Sequence, residues 1–125
     1  MNLNQVTVPA LDIDASIRFY QKLGLKLIVK APHYARFECP DGDATFSVHL
    51  VDKVTEGEGV YVYFEHEGLD KEVERLIESG LDFAELPKDK SWLWREARLD
   101  DPAGNRIILY WAGDNRKNPP WRLKE

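Results

Sequence analysis

Between residues 3 and 9, Val6 and Val8 alternate with polar neighbours, a period of two that predicts a strand. The spacing then changes. Ile13, Ile17, Tyr20 and Leu23 fall on one face of a helix that Asp12 or Asp14 caps and Gly24 ends. Three more strands are predicted at Leu25–Lys30, Tyr34–Cys39 and Thr45–Val51. The order then recurs. A strand at Val60–Glu65 precedes a helix from about Leu69 to Ser79, with Leu69, Val73, Leu76 and Ile77 inward and charged residues outward. Strands near Asp82–Leu86, Trp92–Leu99 and Asn105–Trp111 complete the second half.

The two halves also share punctuation. CPDGDATFSVHL at residues 39–50 and DPAGNRIILYWA at residues 101–112 each place a Pro-x-Gly turn before an alternating strand, with Gly42 and Gly104 62 positions apart. Upstream, Leu-Gly-Leu at Leu23–Leu25 and Ser-Gly-Leu at Ser79–Leu81 close the two helices, their glycines 56 positions apart. One domain over residues 1–125 is expected, with a first repeat of about 1–55, a second of about 58–113, and an arm at 114–125. Units of about 60 residues are marginal alone, so the halves are expected to share a core. The arm, rich in Pro and charge, reads either as an ordered segment anchored by Trp121 or as a frayed end.

Composition narrows the function classes. At 43% apolar and 31% charged, the chain has enough side chains for one core, which excludes a disordered protein. The longest apolar run, Ile107–Ala112, has six residues against the roughly 18 needed to cross a bilayer. The start MNLNQVTV lacks the features of a secretion signal, so a soluble, cytoplasmic protein with no membrane partner is expected. The single cysteine, Cys39, forms no internal disulfide and reads as an inert residue at a strand end. With 22 acidic and 17 basic residues, the net charge of -5 opposes binding to nucleic acid and mildly favours cationic ligands.

The duplicated βαβββ pattern, NQVTVPALDIDASIRFYQKLGL at Asn4–Leu25 and DPAGNRIILYW at Asp101–Trp111 together resemble the vicinal oxygen chelate superfamily. That superfamily contains glyoxalase I, extradiol dioxygenases, fosfomycin-modifying enzymes and bleomycin-binding proteins. The resemblance implies an α+β fold in which two βαβββ repeats form a curled open β-sheet around a cavity, the glyoxalase/bleomycin resistance fold. It also implies a homodimer. Enzymes of the superfamily hold a divalent metal with residues on the first, fourth, fifth and eighth strands. Carried over position by position, these fall on Gln5, near Ser47, on Tyr61 (Val60 with a shift of one) and on Ile108. An amide, a hydroxyl, a phenol and an alkyl chain make an incomplete ligand set, so no metal ligand and no cofactor is expected.

Strand parity assigns Gln5, Ser47, Tyr61, Tyr63, Arg106, Ile108 and Tyr110 to the cavity, bordered by Trp92 and Trp94. Aromatic walls with few polar anchors suit a small-molecule ligand. His49 and Glu65 share that parity and are the candidates for a metal-free acid/base pair or a displaced metal site. The resulting expectation is a metal-independent relative that binds a small aromatic or cationic organic molecule. The alternative is a lyase, isomerase or dioxygenase of the glyoxalase type with a non-standard or displaced metal site.

Overall fold

A computed structural model describes residues 1–124. The elements run β1 (Gln5–Ala10), α1 (Ile13–Leu23), β2 (Lys26–Ala31), β3 (Tyr34–Glu38), β4 (Thr45–Leu50), β5 (Tyr61–Glu65), α2 (Leu69–Glu78), β6 (Glu85–Asp89), β7 (Arg95–Asp100) and β8 (Arg106–Trp111). The repeat is real in topology: the sheets are ordered β1-β4-β3-β2 and β5-β8-β7-β6, each open and four-stranded. In each, the first strand pairs parallel with the last and the remaining pairs are antiparallel. The glycines of the repeat match in conformation as well as in spacing. Gly24 and Gly80 take φ of 112° and 102° at the helix ends, and Gly42 and Gly104 take 75° and 87° in the turns. A side chain disfavours that region, so glycine fixes both kinds of chain reversal.

The chain forms two compact units, residues 1–60 with 101–105, and residues 61–100 with 106–125. In the first, the Asp12 side chain accepts from Ala15 N at 3.1 Å and starts α1. Ile13, Ile17, Tyr20 and Leu23 of α1 are buried, as are Val8, Ala35, Phe37, Phe46 and Val48 from the strands. Tyr20 packs edge or tilted against Phe19, Phe37 and Phe46. The segment 101–105 belongs here through polar contacts. Asp101 accepts from Tyr20 Oη at 2.6 Å, and Asn105 Nδ2 donates to the Pro9 carbonyl at 2.8 Å. Cys39 follows β3, half-buried, and burial pushes its thiol pKa up. That disfavours the reactive thiolate.

In the second unit, Leu69, Val73 and Leu76 of α2 are buried with Val62, Ala97, Leu99, Ile107 and Leu109. Three details depart from the sequence reading. Ile77 is 45% exposed, because at about 100° per residue it lies roughly 80° around α2 from Leu69. β6 starts at Glu85 rather than Asp82, and its register slips around Leu86 and Pro87. Proline has no N–H to give the ladder. β7 starts at Arg95 rather than Trp92. Residues 90–94 form a turn closed by Leu93 N to Lys90 O and Lys90 N to Trp94 O, with Leu93 at φ 68°.

Trp121, the anchor in one of the two readings of the arm, is 56% exposed. Trp94 Nε1 ties the arm by donating to Asn115 O, and within the arm Arg122 donates to Lys117 O and Asn118 Oδ1. Among the described residues, no helix is long and apolar enough to cross a membrane.

Candidate ligand-binding faces

Alternation along β5, β7 and β8 gives the second sheet two chemistries. One face buries Val62, Ala97, Leu99, Ile107 and Leu109 on the side of α2. The other carries three cross-strand rows: Tyr61 with Arg106 and Asp100, Tyr63 with Ile108 and Arg98, and Glu65 with Tyr110 and Glu96. Trp94 continues this face one position before β7 and packs on Ile108, Tyr110 and Ala112.

The aromatic residues of this face form one cluster. Trp94 and Tyr110 stack with centroids 4.7 Å apart and planes at 18°. Tyr63 stands edge-on to both, at 5.8 Å and 90° from Trp94 and 5.5 Å and 86° from Tyr110. Tyr63 stays 43% exposed while Tyr110 is buried, so the cluster is rooted in the sheet and open at one side. Arg106 lies over the Tyr61 ring at 5.7 Å.

Two carboxylates flank the cluster. Glu96 is buried and accepts from Trp92 Nε1 at 2.7 Å. Trp92 therefore reaches the face from the turn rather than from the strand predicted for it. Glu65 Oε2 accepts from the amides of Ala112 and Gly113 at 3.1 and 3.3 Å. Burial raises the Tyr63 pKa, and the negative charge of Glu96 raises it further. Tyr110 is raised by burial and then by Glu65. Both phenols therefore remain neutral donors at physiological pH.

The first unit arranges its outer face in the same register with other chemistry. Its rows are Gln5 with Thr45 and Glu38, Thr7 with Ser47 and Arg36, and Pro9 with His49 and Tyr34. Gln5 Oε1 accepts from Thr45 Oγ1 at 2.7 Å, and Ser47, fully buried, shares a 2.6 Å hydrogen bond with Thr7. His49 is exposed and belongs to this unit, whereas Glu65 belongs to the other. The sequence reading missed Tyr34 and Arg36. Their signal was present in the alternation of Tyr-Ala-Arg-Phe-Glu, which puts Tyr34, Arg36 and Glu38 opposite the buried Ala35 and Phe37.

The positions carried over from metal enzymes do not fit a divalent ion. Gln5 is engaged by Thr45 and Ser47 by Thr7, while Ile108 offers no donor atom. Among the described residues, no group of three or more His, Cys, Asp or Glu side chains is placed to hold a metal. His66 is occupied at the start of α2, where Nδ1 accepts from Gly68 N and Nε2 meets Glu72 at 3.1 Å.

A model of the Glyoxalase/Bleomycin resistance protein/Dioxygenase superfamily matches residues 2–109. The chain belongs to that superfamily. Its fold is similar to that of a glyoxalase/bleomycin resistance protein/dioxygenase from Nocardioides, with 25% identity, a TM-score of 0.78, and coverage of 99% of this chain and 90% of that one. The bleomycin resistance determinant encoded on the transposon Tn5 aligns at 16% identity and a TM-score of 0.74, covering 89% and 98% of the two chains. A bleomycin-binding protein in complex with bleomycin aligns at 16% identity and a TM-score of 0.71, with the same coverage. No curated protein sequence matches significantly. The two βαβββ units with open mixed sheets are thus the bleomycin resistance fold, as the repeat implied.

Proposed function

We propose that this superfamily member is a metal-independent binding protein for a small organic molecule with a flat aromatic or cationic body, taken up on the aromatic face of the second unit. The observation that carries the reading is the Tyr63, Trp94 and Tyr110 cluster, with Tyr63 edge-on to a stacked pair and still partly exposed. Each aromatic contact contributes about 0.5–1.5 kcal/mol beyond burial. Ring faces also attract cations, and Glu65 and Glu96 supply the negative charge that a cationic ligand needs. A structural neighbour named for its bleomycin complex supports a ligand of this kind. Metal independence is supported by the donor chemistry at Gln5, Ser47, Tyr61 and Ile108. The homodimer implied by the resemblance belongs to the same proposal, and light scattering checks it.

Tryptophan fluorescence titrated with a panel of aromatic amines and antibiotics tests binding, alongside metal analysis of protein purified without chelator. The expected result is saturable quenching by at least one compound, lost in Trp94→Ala. Glu96→Gln should weaken cationic ligands by about tenfold while sparing neutral ones. A panel without any response would overturn the proposal. So would one tightly held divalent ion per chain that Gln5→Ala or Glu65→Ala releases, a result that would favour the enzyme reading.

A further inference from the structure

The arm that follows β8 reaches the aromatic cluster at the Trp94 ring. Glu65 pins its root through the amides of Ala112 and Gly113, and the chain turns at Gly113 with φ of 56°. A 3-10 turn over Gly113–Asn115 then carries the Asn115 carbonyl to Trp94 Nε1 at 3.3 Å. The same Trp94 ring stacks on Tyr110 and has Tyr63 edge-on to it. The arm and any ligand of this cluster therefore share one side chain.

Past Asn115 the arm bonds to itself. Asn118 N donates to Asp114 O, Arg122 N to Pro119 O, and Arg122 Nη1 to Lys117 O and Asn118 Oδ1. Its large apolar side chains, Trp121 and Leu123, are exposed. A segment with its own hydrogen bonds and little buried apolar surface opens at low cost while keeping its shape. Charge also sets it apart. Residues 113–124 carry four cations, Arg116, Lys117, Arg122 and Lys124, against Asp114, in a chain whose net charge is -5.

We infer that the arm is an internal strap on the aromatic face of the second unit, latched to Trp94 through Asn115 and basic, which a flat cationic ligand displaces when it binds. Arg116, the residue after the latch, already acts on the cluster. Burial and then Glu65 raise the Tyr110 pKa, and the charge of Arg116 works against them. A cation thus stands in the field that a cationic ligand enters, and like charge opposes entry. The inference rests on the binding proposed for this face and adds its regulation.

The indole Nε1–H signal of Trp94 in NMR spectra, assigned by its absence in Trp94→Phe, reads the latch and the ligand together. Its exchange with solvent should be slow in the full chain and several-fold faster in a chain ending at Gly113, which keeps all eight strands, both helices and the two Glu65 contacts. The probes are N-methylquinolinium, a flat aromatic cation, and quinoline, its neutral counterpart. Truncation should tighten N-methylquinolinium by about three- to tenfold, the effect of one lost hydrogen bond and of like charge removed, and quinoline by less. Arg116→Gln in the full chain should tighten N-methylquinolinium alone, by about two- to threefold. Equal affinity in the full and truncated chains, or weaker binding after truncation, overturns the strap and leaves the proposed binding standing. Equal indole exchange in the two forms also overturns it. So does the lack of a saturable shift in both forms, whereas the panel of amines and antibiotics decides the binding itself. If the chain ending at Gly113 does not fold, Asn115→Pro in the full chain decides the question with the same tightening expected, because it removes the Asn115 N–H that bonds Ala112 O and shapes the latch.

Discussion

Tyr20 is fully buried, yet its hydroxyl ends on Asp101, whose carboxylate also accepts from the amides of Ala103 and Asn105 and from Asn105 Nδ2. Every oxygen of this buried acid is therefore met by donors, and removing one leaves part of a charge unsolvated. Tyr20→Phe should cost about 1–3 kcal/mol in chemical denaturation, with the fold retained. Burial is the main cause that raises the Tyr20 pKa well above its ordinary value, and the Asp101 charge adds to it. A raised folded-state pKa means that this contribution is complete below the unfolded tyrosine value of about 10 and declines as pH rises beyond it. Wild-type stability should accordingly fall above pH ~10, and Tyr20→Phe should flatten that alkaline limb. An unchanged limb in the variant would remove Tyr20 as its cause.

At the scale of elements, the helices and six of the eight strands were legible within about two residues, because burial alternates or recurs there with the period of the element. The two misplaced strands, β6 and β7, flank one turn, and the reason is local. Trp92 and Leu93 extend the apolar alternation of β7 backwards, so the pattern continues where the backbone reverses. The turn places Leu93, a branched residue, at φ 68°, which costs roughly 1–2 kcal/mol in the left-handed region. Leu93 is 48% exposed, so little burial compensates. Leu93→Asn should therefore stabilise the protein by about 0.5–1 kcal/mol, read as a higher thermal midpoint with unchanged ligand quenching. A lower midpoint would show that the Leu93 side chain contributes packing that its exposure does not reveal. The candidate site was legible for a similar reason and to a similar extent. Parity alone grouped Tyr63 and Tyr110, while Arg36 and Tyr34, set opposite the buried Ala35 and Phe37 by the same alternation, went unnoticed because the hydrogen bond that joins them is not reported by periodicity.

At the scale of the whole molecule, the repeat conserves register and changes chemistry. Thr7, Ser47 and Arg36 form a row in the first unit where Tyr63, Ile108 and Arg98 form its counterpart in the second. One backbone plan thus presents a hydroxyl-rich face and an aromatic one, and specificity resides in the side chains rather than in the fold. The plan is not cut cleanly at the middle of the chain, however. The first unit includes residues 101–105, which supply Asp101 to Tyr20 and Asn105 to Pro9. A fragment ending at Gly57, in the exposed linker before β5, lacks both partners and retains a buried tyrosine hydroxyl without its acceptor. Such a fragment should show no cooperative thermal transition by circular dichroism. Mixed with the complementary fragment 58–125, it should regain one, because the second fragment restores Asp101 and Asn105. An Asp101→Ala version of that second fragment should restore markedly less, which separates the contribution of this contact from general association. Cooperative unfolding of the first fragment alone would show that its hydrophobic core suffices, and that the borrowed turn is only an ornament to it.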